Sequence, residues 1–596
     1  APFSNYEGRS PASGAQSRFH AMSPIKNMGT KLDLRFNGKL TPEISPIFNK
    51  LSCEHRGQFN DLVSVMSLPY KDSLDWWVQG PASRNTFASP FFHYYCCLYF
   101  VRHLIEDGSF KFAEVVVDSR ILKELIEKIL RDRGIEHCKI RCDINFRTII
   151  KQISKQYLSL PALLLKKLCQ YVIARVTRKS SLNLTPVKPI VLIDTFIIPG
   201  YITYDRWYGS LWENLTDEMK AETFFVPTVV MTPLRSMYST YKSLRLNSRN
   251  FIIKEDYLKI DDIIFAFQYK RRIKKVAIKP LSVFGYDISG LVQEELTTNR
   301  DVLTTIESIL IYRFIKRLSQ SGAKVRLAID WFEGQVVDKA WNMALKKYYP
   351  NVKRIGYRAF ESFPFYLCSY PILVERESGV IPDTIAVQGR GTVSTVREFL
   401  PDLDVIVIPS FKSQDVWECD LSRSDRSIFT VLIALPISIY TSARIVERLI
   451  EIQKSRDFED KAIRYIVKPH PATSVYKIKK KLRMEIPDAL FFSEETSFLR
   501  LLKEADLLIT EASSTCLEAL ACGVPIIIME NEGGLTYDPV PNAIPKDLYR
   551  KTRTYAQLID AMKYYVNVTS ETLRQQKIYG LKIREDYFEP ITKDGI

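Results

Sequence analysis

The sequence lacks any long uninterrupted run of apolar residues. A membrane-spanning helix needs roughly eighteen or more of them, and the nearest candidates, Phe87–Val101 and Phe429–Tyr440, are both shorter. The first candidate is also interrupted by His93. This absence predicts a soluble or membrane-peripheral protein rather than one with spanning helices.

Regularly spaced cysteine pairs are also missing. The ten cysteines are scattered: Cys96 and Cys97 are adjacent, Cys138 and Cys142 are four apart, and no CxxC sequence occurs. Structural zinc sites and disulfide scaffolds both need paired spacings. The pattern is typical of free thiols in a reducing compartment, so we expect a cytoplasmic protein without structural zinc.

No signature of a nucleic-acid-binding domain is present, neither an RNP motif nor a zinc finger nor a Gly/Arg-rich tail. The formal net charge of +16 nevertheless calls for an anionic partner. Nucleic acid, an anionic membrane surface and a negatively charged substrate are the candidates. Charge alone supports the first of these, and we therefore expect no nucleic-acid partner.

The length of 596 residues predicts two or three domains, because it exceeds what one hydrophobic core supports. After Pro189, apolar strands such as PIVLIDTF and KVRLAIDWFE alternate with helical patterns, as in a parallel sheet covered on both faces. We predict an α/β protein with two Rossmann-like doubly wound domains facing a cleft and a basic helical insertion in the first. The predicted segments are a flexible leader (1–30), a first α/β domain (31–410), a linker (411–428), a second α/β domain (429–550) and a C-terminal helical segment packing back on the first domain (551–596).

The predicted insertion, about 149–180, is strongly basic. No acidic residue occurs between Asp143 and Asp194. Apolar residues recur there at helical spacing, whereas Lys167, Gln170 and Arg178 lie off that stripe. Such a helix either lies on an anionic bilayer or packs its apolar face on a core with solvated lysines outside. The residues of the stripe are Leu165, Leu168, Val172, Ile173 and Val176.

Two polar turns follow buried strands of the second domain. The turn Lys468–Pro471 (KPHP) follows IRYIV, and the turn Glu511–Thr515 (EASST) follows DLLIT and opens a helix. Ligands of parallel α/β sheets bind at such strand ends and helix N-termini. The prolines flanking His470 restrict the backbone and could aim the imidazole outward, and Lys468 precedes them. An anion contact is the favoured interpretation.

The EASST turn predicts a phosphate contact. Ser513 and Ser514 are placed to cap the following helix, and their hydroxyls, with Thr515 and the free backbone N–H groups, would also hold a phosphate. Glu518 follows one helical turn after Ser514. It could reach a ribose hydroxyl, or it could be a solvated surface residue.

The two turns and the EALACGVPII stretch that follows resemble the donor-binding half of GT-B glycosyltransferases. More narrowly, they are similar to the HP and SS motifs of bacterial sialyltransferases and Kdo transferases, which use CMP-activated acidic sugars. CDP-glycerol polymer transferases share a similar pair. The resemblance covers about 463–531. It implies that His470, Ser513 and Ser514 contact the donor's phosphate and nucleotide, that Glu518 contacts its ribose, and that catalysis needs no bound metal or other cofactor.

A glycosyl transfer also needs a carboxylate, as base or nucleophile, which we expect from the first domain. Glu333 and Asp330 (AIDWFEGQ) are the first candidates, because the neighbouring aromatic residues could stack on a sugar. Asp194 and Glu361 also follow strand patterns. Each carboxylate could instead cap a helix or form an ion pair. The stretch Trp76–Trp77 with Arg84–Asn85 could form an acceptor wall, although core packing explains the tryptophans equally well.

These observations predict a cytoplasmic glycosyltransferase, peripheral at the inner face of the membrane, that builds a surface glycan such as lipopolysaccharide or capsule. Its expected partners are a nucleotide-sugar donor of the CMP-Kdo or CMP-sialic acid type and a lipid-linked or oligosaccharide acceptor. A CDP-polyol phosphotransferase and a UDP-sugar transferase or epimerase are alternatives. A non-catalytic binding protein with the same fold is another.

Overall fold

The computed structural model describes residues 31–592 except 144–145, 179–187, 199–200, 299–300, 420–427, 456, 459–460, 472, 483, 496, 512, 542–543 and 546. Within 146–159 it describes the helical backbone and not the side chains. The predicted leader (1–30) and most of the predicted linker therefore lie outside the described residues, as does Ala512 of the EASST turn.

Two six-stranded, entirely parallel sheets dominate the fold, and a three-stranded parallel sheet and a short hairpin (β6–β7) accompany the first of them. In chain order the strands are β1 (Lys31–Asp33), β2 (Glu114–Val117), β3 (Lys139–Cys142), β4 (Ile190–Ile197), β5 (Thr223–Val229), β6 (Ser282–Val283), β7 (Tyr286–Asp287), β8 (Val325–Trp331), β9 (Lys353–Arg358), β10 (Thr384–Val387), β11 (Val405–Val407), β12 (Phe429–Ala434), β13 (Ile463–Lys468), β14 (Leu490–Phe492), β15 (Leu507–Thr510), β16 (Ile526–Met529) and β17 (Tyr549–Thr552).

Helices fill the connections between these strands. The α-helices are α1 (Ser45–Glu54), α2 (Arg56–Ser67), α3 (Leu74–Trp77), α4 (Gly80–Ser83), α5 (Phe91–Glu106), α6 (Arg120–Asp132), α7 (Phe146–Val176), α8 (Leu211–Asn214), α9 (Asp217–Glu222), α10 (Leu234–Arg245), α11 (Lys254–Tyr257), α12 (Ile260–Phe267), α13 (Tyr269–Ile273), α14 (Ser289–Thr298), α15 (Val302–Gln320), α16 (Val336–Tyr348), α17 (Leu373–Ser378), α18 (Val393–Val396), α19 (Ile439–Lys454), α20 (Val475–Lys481), α21 (Phe498–Glu504), α22 (Thr515–Ala521), α23 (Tyr555–Val566) and α24 (Ser570–Tyr587). Single 3-10 turns occur at Leu68–Tyr70, Leu367–Ser369, Arg390–Thr392 and Gln414–Val416.

The first large sheet has the strand order β11-β10-β9-β8-β4-β5, and the second has β14-β13-β12-β15-β16-β17. Both are doubly wound. In each sheet the chain first adds strands on one side of its starting strand, β4 or β12, and then adds the remaining strands on the other side. The second order is that of a dinucleotide-binding sheet, and the first is that of a flavodoxin-like sheet with one more strand. The prediction of two Rossmann-like α/β domains is confirmed.

Each large sheet buries both of its faces. On β12, Leu432 belongs to one apolar cluster, and its neighbours Val431 and Ile433 belong to the cluster on the opposite face. Ile190 and Val191 of β4 divide in the same way. Successive strand side chains point to opposite faces, so a continuous apolar run is the sequence required when helices cover both sides of a parallel sheet.

The two domains are joined by backbone contacts of the C-terminal segment. Helix α24 packs on α22 in the second domain, where Gly580 approaches Gly523 closely enough that an added Cβ would lie 3.0 Å from its nitrogen. Beyond α24 the chain reaches the first domain. The Glu589 N–H donates to the Gln388 carbonyl at 2.6 Å, and the Ser410 N–H donates back to the Glu589 carbonyl at 2.8 Å.

Helix α7 does not have the orientation predicted from its apolar stripe. Lys167 and Gln170, placed off the stripe in the sequence, are only 6% and 2% exposed, whereas Leu165 and Val176 are 62% and 68% exposed. The interpretation in which the lysines are solvated and the stripe covers a core is therefore wrong for these residues. Of the stripe, only Leu168 and Ile173 are partly buried against a core, and Leu163, Leu164 and Tyr171 supply further apolar contacts.

Buried ion pairing explains this orientation. Lys167 pairs with Glu307 of α15, and Lys254 of α11 pairs with the same carboxylate at 2.9 Å. Gln170 Nε2 donates to the Tyr241 hydroxyl and to Glu255, both at 2.8 Å. Buried polar groups that are this fully partnered fix the rotation of a helix more firmly than one face of Leu and Val does.

Among the described helices, none combines the length and the apolar character needed to cross a bilayer.

Candidate active site

The carboxyl ends of the two large sheets define where a ligand would bind. Strand order reverses between β4 and β8 in the first sheet and between β12 and β15 in the second. Crevices outside the carboxyl ends of strands at such reversals are the usual ligand sites of doubly wound sheets. The segment after β4 carries Arg206, the segment after β8 carries Glu333, and the turn after β13 carries His470.

Cations from both domains interact electrostatically here. Arg206 comes from the first domain, Lys468 from the end of β13, and Lys412 from the segment between the domains. Burial lowers the pKa of Lys468, and the charge of Arg206 lowers it further. Burial also lowers the pKa of Arg206, while nearby Tyr201 and Glu333 oppose that shift. Arg206 is thus within electrostatic reach of groups in both domains.

The loop that holds Arg206 is anchored by Asp205. This carboxylate forms a buried ion pair with Arg249, and its Oδ1 accepts the backbone N–H groups of Trp207 at 2.8 Å and Tyr208 at 3.0 Å. The Arg206 guanidinium lies 5.5 Å from the centre of the Trp207 ring. Fixed backbone on either side and an aromatic face beside it hold the guanidinium at the cleft.

Lys412 is positioned by a close backbone approach. Gly209 has φ +53°, and a Cβ added to it would lie 2.1 Å from the Phe411 carbonyl oxygen. Any larger residue would separate the two segments. Lys412 Nζ lies 5.1 Å from the centre of the Trp331 ring. Burial lowers its pKa, and the charges of Glu518 and Glu333 oppose that shift.

Glu333 is the first-domain carboxylate that faces this cluster. Trp331 Nε1 donates to its Oε1 at 2.7 Å, and Gln335 Nε2 and the Tyr366 hydroxyl donate to its Oε2 at 2.5 and 3.1 Å. The side chain is half-buried. Three neutral donors orient the carboxylate, and its lone pairs exceed the three bonds it accepts. It can therefore still accept a proton.

The other predicted carboxylates are buried. Asp194 lies in the middle of β4 rather than at its end and is 2% exposed, and burial raises its pKa to about 7. Asp330 is 1% exposed and accepts a hydrogen bond from Asn342 Nδ2 at 2.8 Å. Burial and the neighbouring Asp194 raise its pKa well above the ordinary range. The interior position of both leaves Glu333 as the candidate base.

Glu361 also points into the protein. It is 5% exposed and accepts a hydrogen bond from Thr392 Oγ1 at 2.8 Å. Burial raises its pKa to about 7, against the attraction of Arg358. The strand-end position that suggested a catalytic role holds a buried acid instead.

The KPHP turn is held against the neighbouring loop. The Thr473 N–H donates to the His470 carbonyl at 2.8 Å, and Thr473 Oγ1 donates to the Ile437 carbonyl at 3.0 Å. Burial lowers the pKa of His470 to about 4, and the charge of Arg206 adds to the effect. At neutral pH the imidazole is therefore uncharged and offers one N–H donor rather than a cation.

The EASST turn differs from the predicted cap. Helix α22 begins at Thr515, and Ser514 occupies the N-cap position without a side-chain capping bond. Ser513 Oγ lies 2.6 Å from Thr515 Oγ1 and accepts the Thr515 N–H at 3.3 Å. The preceding Glu511 is buried and paired with Arg444. The Ser513 and Thr515 hydroxyls thus lie together at the beginning of the helix.

Glu518 lies at the junction of the two domains rather than on a solvated surface. It is half-buried, and Ser413 Oγ donates to its Oε1 at 3.0 Å. Burial raises its pKa, and Lys412 and Ser413 lower it. The segment 412–413 therefore connects Glu518 to the cationic cluster.

Part of the predicted acceptor wall belongs to the core. Trp76 and Trp77 are fully buried, and Arg84 is 1% exposed and paired with Glu375 at 2.7 Å. The wall prediction is wrong for these three residues. Asn85 instead lines a small open cavity of about 30 Å³. Its lining includes Gln79, Ser83, Asn85, Glu295, Thr304 and Gln335.

An exposed aromatic side chain follows Asn85 in the chain. Phe87 is 47% exposed, stacks on Tyr537 of the second domain with ring centres 4.3 Å apart, and lies 5.2 Å from the Tyr366 ring. Gln335 both lines the cavity and donates to Glu333. Gln335 therefore connects this small cavity to the candidate base.

Arg206, Lys412 and Ser413 were not predicted from the sequence. Arg206 lies in a loop rich in aromatic residues (YDRWYGS), which is the signal that could have identified it. Lys412 and Ser413 were assigned to a linker. Among the described residues, no three or more His, Cys, Asp or Glu side chains lie close enough together to hold a metal ion.

Comparison with known proteins gives no sequence relative. No family model matches the chain, and no curated protein matches it. Solved structures with similar folds include UDP-GlcNAc 2-epimerase from Neisseria meningitidis bound to UDP-GlcNAc (12% identity, TM-score 0.40, 66% of this chain and 96% of that one). A calicheamicin glycosyltransferase is another (11% identity, TM-score 0.36, 67% and 95%). The fold assignment itself rests on the strand order of the two sheets.

Proposed function

We propose that this protein is a glycosyltransferase that moves a sugar from a nucleotide-activated donor to a glycan acceptor. The observation that carries the proposal is the electrostatic coupling of Arg206 with Lys412, Lys468 and His470, together with that of Glu333 with Arg206 and Lys412. Two parallel sheets supply these groups from their carboxyl ends. Such a set of groups supplies positive charge for a phosphate-bearing donor and a carboxylate that can accept a proton.

The second domain is the proposed donor side. Three hydroxyls at the start of α22, together with Lys468 and the neutral His470, offer hydrogen bonds and positive charge to a phosphate. Glu518 is the proposed ribose contact. A donor that carries a carboxylate as well as a phosphate would use more of the positive charge, and this supports a CMP-linked acidic sugar of the Kdo or sialic acid type.

Glu333 is the proposed base. Its carboxylate would take the proton of the acceptor hydroxyl while the oxygen bonds to the anomeric carbon and the bond to the donor phosphate breaks. Arg206 and Lys412 would hold the departing phosphate, whose negative charge grows in the transition state. We propose that these groups suffice without a bound metal. The acceptor would approach Glu333 from the side of Asn85 and Gln335.

Two further activities use the same groups. A CDP-polyol phosphotransferase would need the cations for the phosphate that is transferred, and a UDP-sugar transferase or epimerase would need them for a diphosphate. A binding protein with this fold would keep the nucleotide contacts and need no base. Turnover separates that alternative: a binding scaffold shows none with or without His470, whereas a transferase turns over its donor and loses rate in His470→Ala.

The test is thermal stabilisation by CMP, CDP, UDP and GDP, each measured over a range of concentrations. A ligand that binds only the folded state raises the unfolding free energy by about 2.7 kcal/mol at a concentration one hundred times its Kd. We expect CMP to stabilise the protein most. Selective stabilisation by UDP or GDP would contradict the CMP assignment, and no response to any nucleotide would contradict the transferase proposal.

A further inference from the structure

The outward side of α7 presents large apolar side chains to solvent. Leu165, Val172 and Val176 are 62%, 55% and 68% exposed and follow one another at helical spacing. The opposite side of the helix is fixed by the buried Lys167 and Gln170, so rotation of the helix cannot bury these three residues without breaking an ion pair.

Helix α10 runs alongside α7 and also carries exposed apolar side chains. Arg245 Nη2 donates to the Ala174 carbonyl at 3.1 Å, and the Gln170–Tyr241 hydrogen bond lies one turn earlier on both helices. On the exposed side of α10, Leu234 is 43% exposed and Tyr238 is 52% exposed. The two residues are four apart and therefore share a helix face.

Helix α12 also contacts α7. Arg175 Nη2 of α7 donates at 2.9 Å to the carbonyl of Leu258, which lies two residues before this helix. Ile260 and Ile264 are 54% and 47% exposed and again lie four residues apart. We call the seven exposed side chains on these three helices the apolar face. They are Leu165, Val172, Val176, Leu234, Tyr238, Ile260 and Ile264.

Basic residues accompany the apolar face. Arg235 and Lys242 are exposed on α10, and Lys259 is exposed at the beginning of α12. Asp261 is an exposed acid on α12. The sequence between Asp143 and Asp194, which includes all of α7, contains no acidic residue. A partner for this face must therefore be both apolar and negatively charged.

We propose that the apolar face docks the protein on the surface of an anionic lipid bilayer. Helices lying in the membrane interface bury apolar side chains at the acyl boundary while Lys and Arg contact anionic headgroups. Exposed apolar patches of this kind on otherwise polar surfaces mark sites of interaction. This docking does not depend on the proposed transferase activity, because none of its residues belongs to the candidate active site.

The test is flotation of the full chain with lipid vesicles, either pure phosphatidylcholine or phosphatidylcholine with 30% phosphatidylglycerol. We expect the protein to float with the anionic vesicles and binding to weaken as salt is raised. The triple variant Leu165→Glu/Val172→Glu/Val176→Glu should lose binding by about tenfold or more, because three anions replace the inserted side chains.

A matched control carries the same kind of change elsewhere. Val65 and Tyr476 are 60% and 71% exposed on α2 and α20, and Val65→Glu/Tyr476→Glu should float like the wild type. Circular dichroism and the melting temperature show whether each variant is folded. A second variant is Arg235→Glu/Lys242→Glu. It should bind anionic vesicles less tightly, and its binding should depend less on salt.

Three outcomes would overturn the proposal. The wild type could remain unbound to anionic vesicles, or the folded triple variant could float as well as the control. Light scattering could instead show a dimer that the triple variant dissociates, in which case a second copy covers the face. Nucleotide-induced stabilisation is measured separately, so failure of docking and failure of the transferase proposal remain distinguishable.

Discussion

Polar residues of the two large sheets lie in opposite environments. In the first sheet, Asp194 and Asp330 are almost completely buried and their pKa values are raised. In the second sheet, His470 and Ser513 lie in turns beyond the strands and are half-buried. A polar residue within a strand is covered by a helix layer, whereas one beyond the strand lies at the sheet edge where ligands usually bind.

This difference assigns separate roles to the two sets of residues. Acids within the first sheet belong to a buried network that includes Lys254, whose charge influences Asp194. Groups in the turns and in the segment between the domains form the cationic cleft. Stability should therefore depend mainly on the first set and ligand binding mainly on the second, and the following substitutions test that separation.

The largest expected effect is on turnover of the donor that the nucleotide panel identifies. Glu333→Gln keeps the size and most hydrogen bonds of the side chain but removes its basicity, so kcat should fall by about 10²- to 10⁴-fold. Nucleotide-induced stabilisation should be unchanged. The matched variant Asp330→Asn should lose less than about tenfold. If Asp330→Asn abolishes turnover and Glu333→Gln does not, the assignment of the base is reversed.

Removal of the buried carboxylate at the centre of the network should cost the most stability. Glu307→Ala leaves Lys167 and Lys254 buried without their shared partner, and the unfolding free energy should fall by about 3–5 kcal/mol. Urea denaturation measures it. The control Glu504→Ala removes an exposed pair with Arg464 and should change the free energy by about 1 kcal/mol or less. Equal losses in both variants would argue against a structural role for the network.

Arg206→Ala should separate binding from stability. Loss of a charge-assisted contact to phosphate should weaken nucleotide binding by about 10- to 100-fold, measured by calorimetry, with little change in melting temperature. Arg326→Ala removes an exposed arginine of the same domain, paired with Glu222 at 2.9 Å, and should leave nucleotide binding unchanged. Undiminished affinity of Arg206→Ala would place the phosphate elsewhere.

The smallest effect concerns pH. Burial raises the pKa of Glu361 to about 7, so the folded state favours its protonated form. The resulting stability is present below the ordinary carboxyl pKa and is lost as pH rises through about 7. Glu361→Gln has no carboxyl group there, so it lacks this pH-dependent contribution to stability. Relative to the wild type, it should gain about 1–2 kcal/mol between pH 5 and pH 8 in urea titrations. A difference that is constant across this range would mean that Glu361 is already ionised.

Much of the fold could be predicted from the sequence because burial on both sides of a parallel sheet requires continuous apolar strands. Strands β12 to β16 were recognised in this way. Strand β17 (Tyr549–Thr552) was missed, because its sequence YRKT is polar and it lies at the edge of the sheet, where one side is unpaired. The predicted boundary at residue 550 consequently falls inside this strand.

The candidate site was predictable only in part. The KPHP and EASST turns were found because short polar turns after buried strands of a parallel sheet must gather at one edge. Arg206 and Lys412 were not found, since nothing local marks a residue that acts across a cleft. The orientation of α7 was also beyond sequence reasoning, because Lys167 is buried only through Glu307, 140 residues away in the chain.

The sequence by itself determined the two doubly wound sheets and the polar turns of the second one, because strand periodicity and turn position are local properties. Tertiary structure alone decided which carboxylate faces the cleft, which cations surround it, and which side of α7 meets solvent. Each of these depends on partners distant in sequence. The physical reason is that a buried charge is tolerated only where folding supplies a counter-charge or hydrogen bonds.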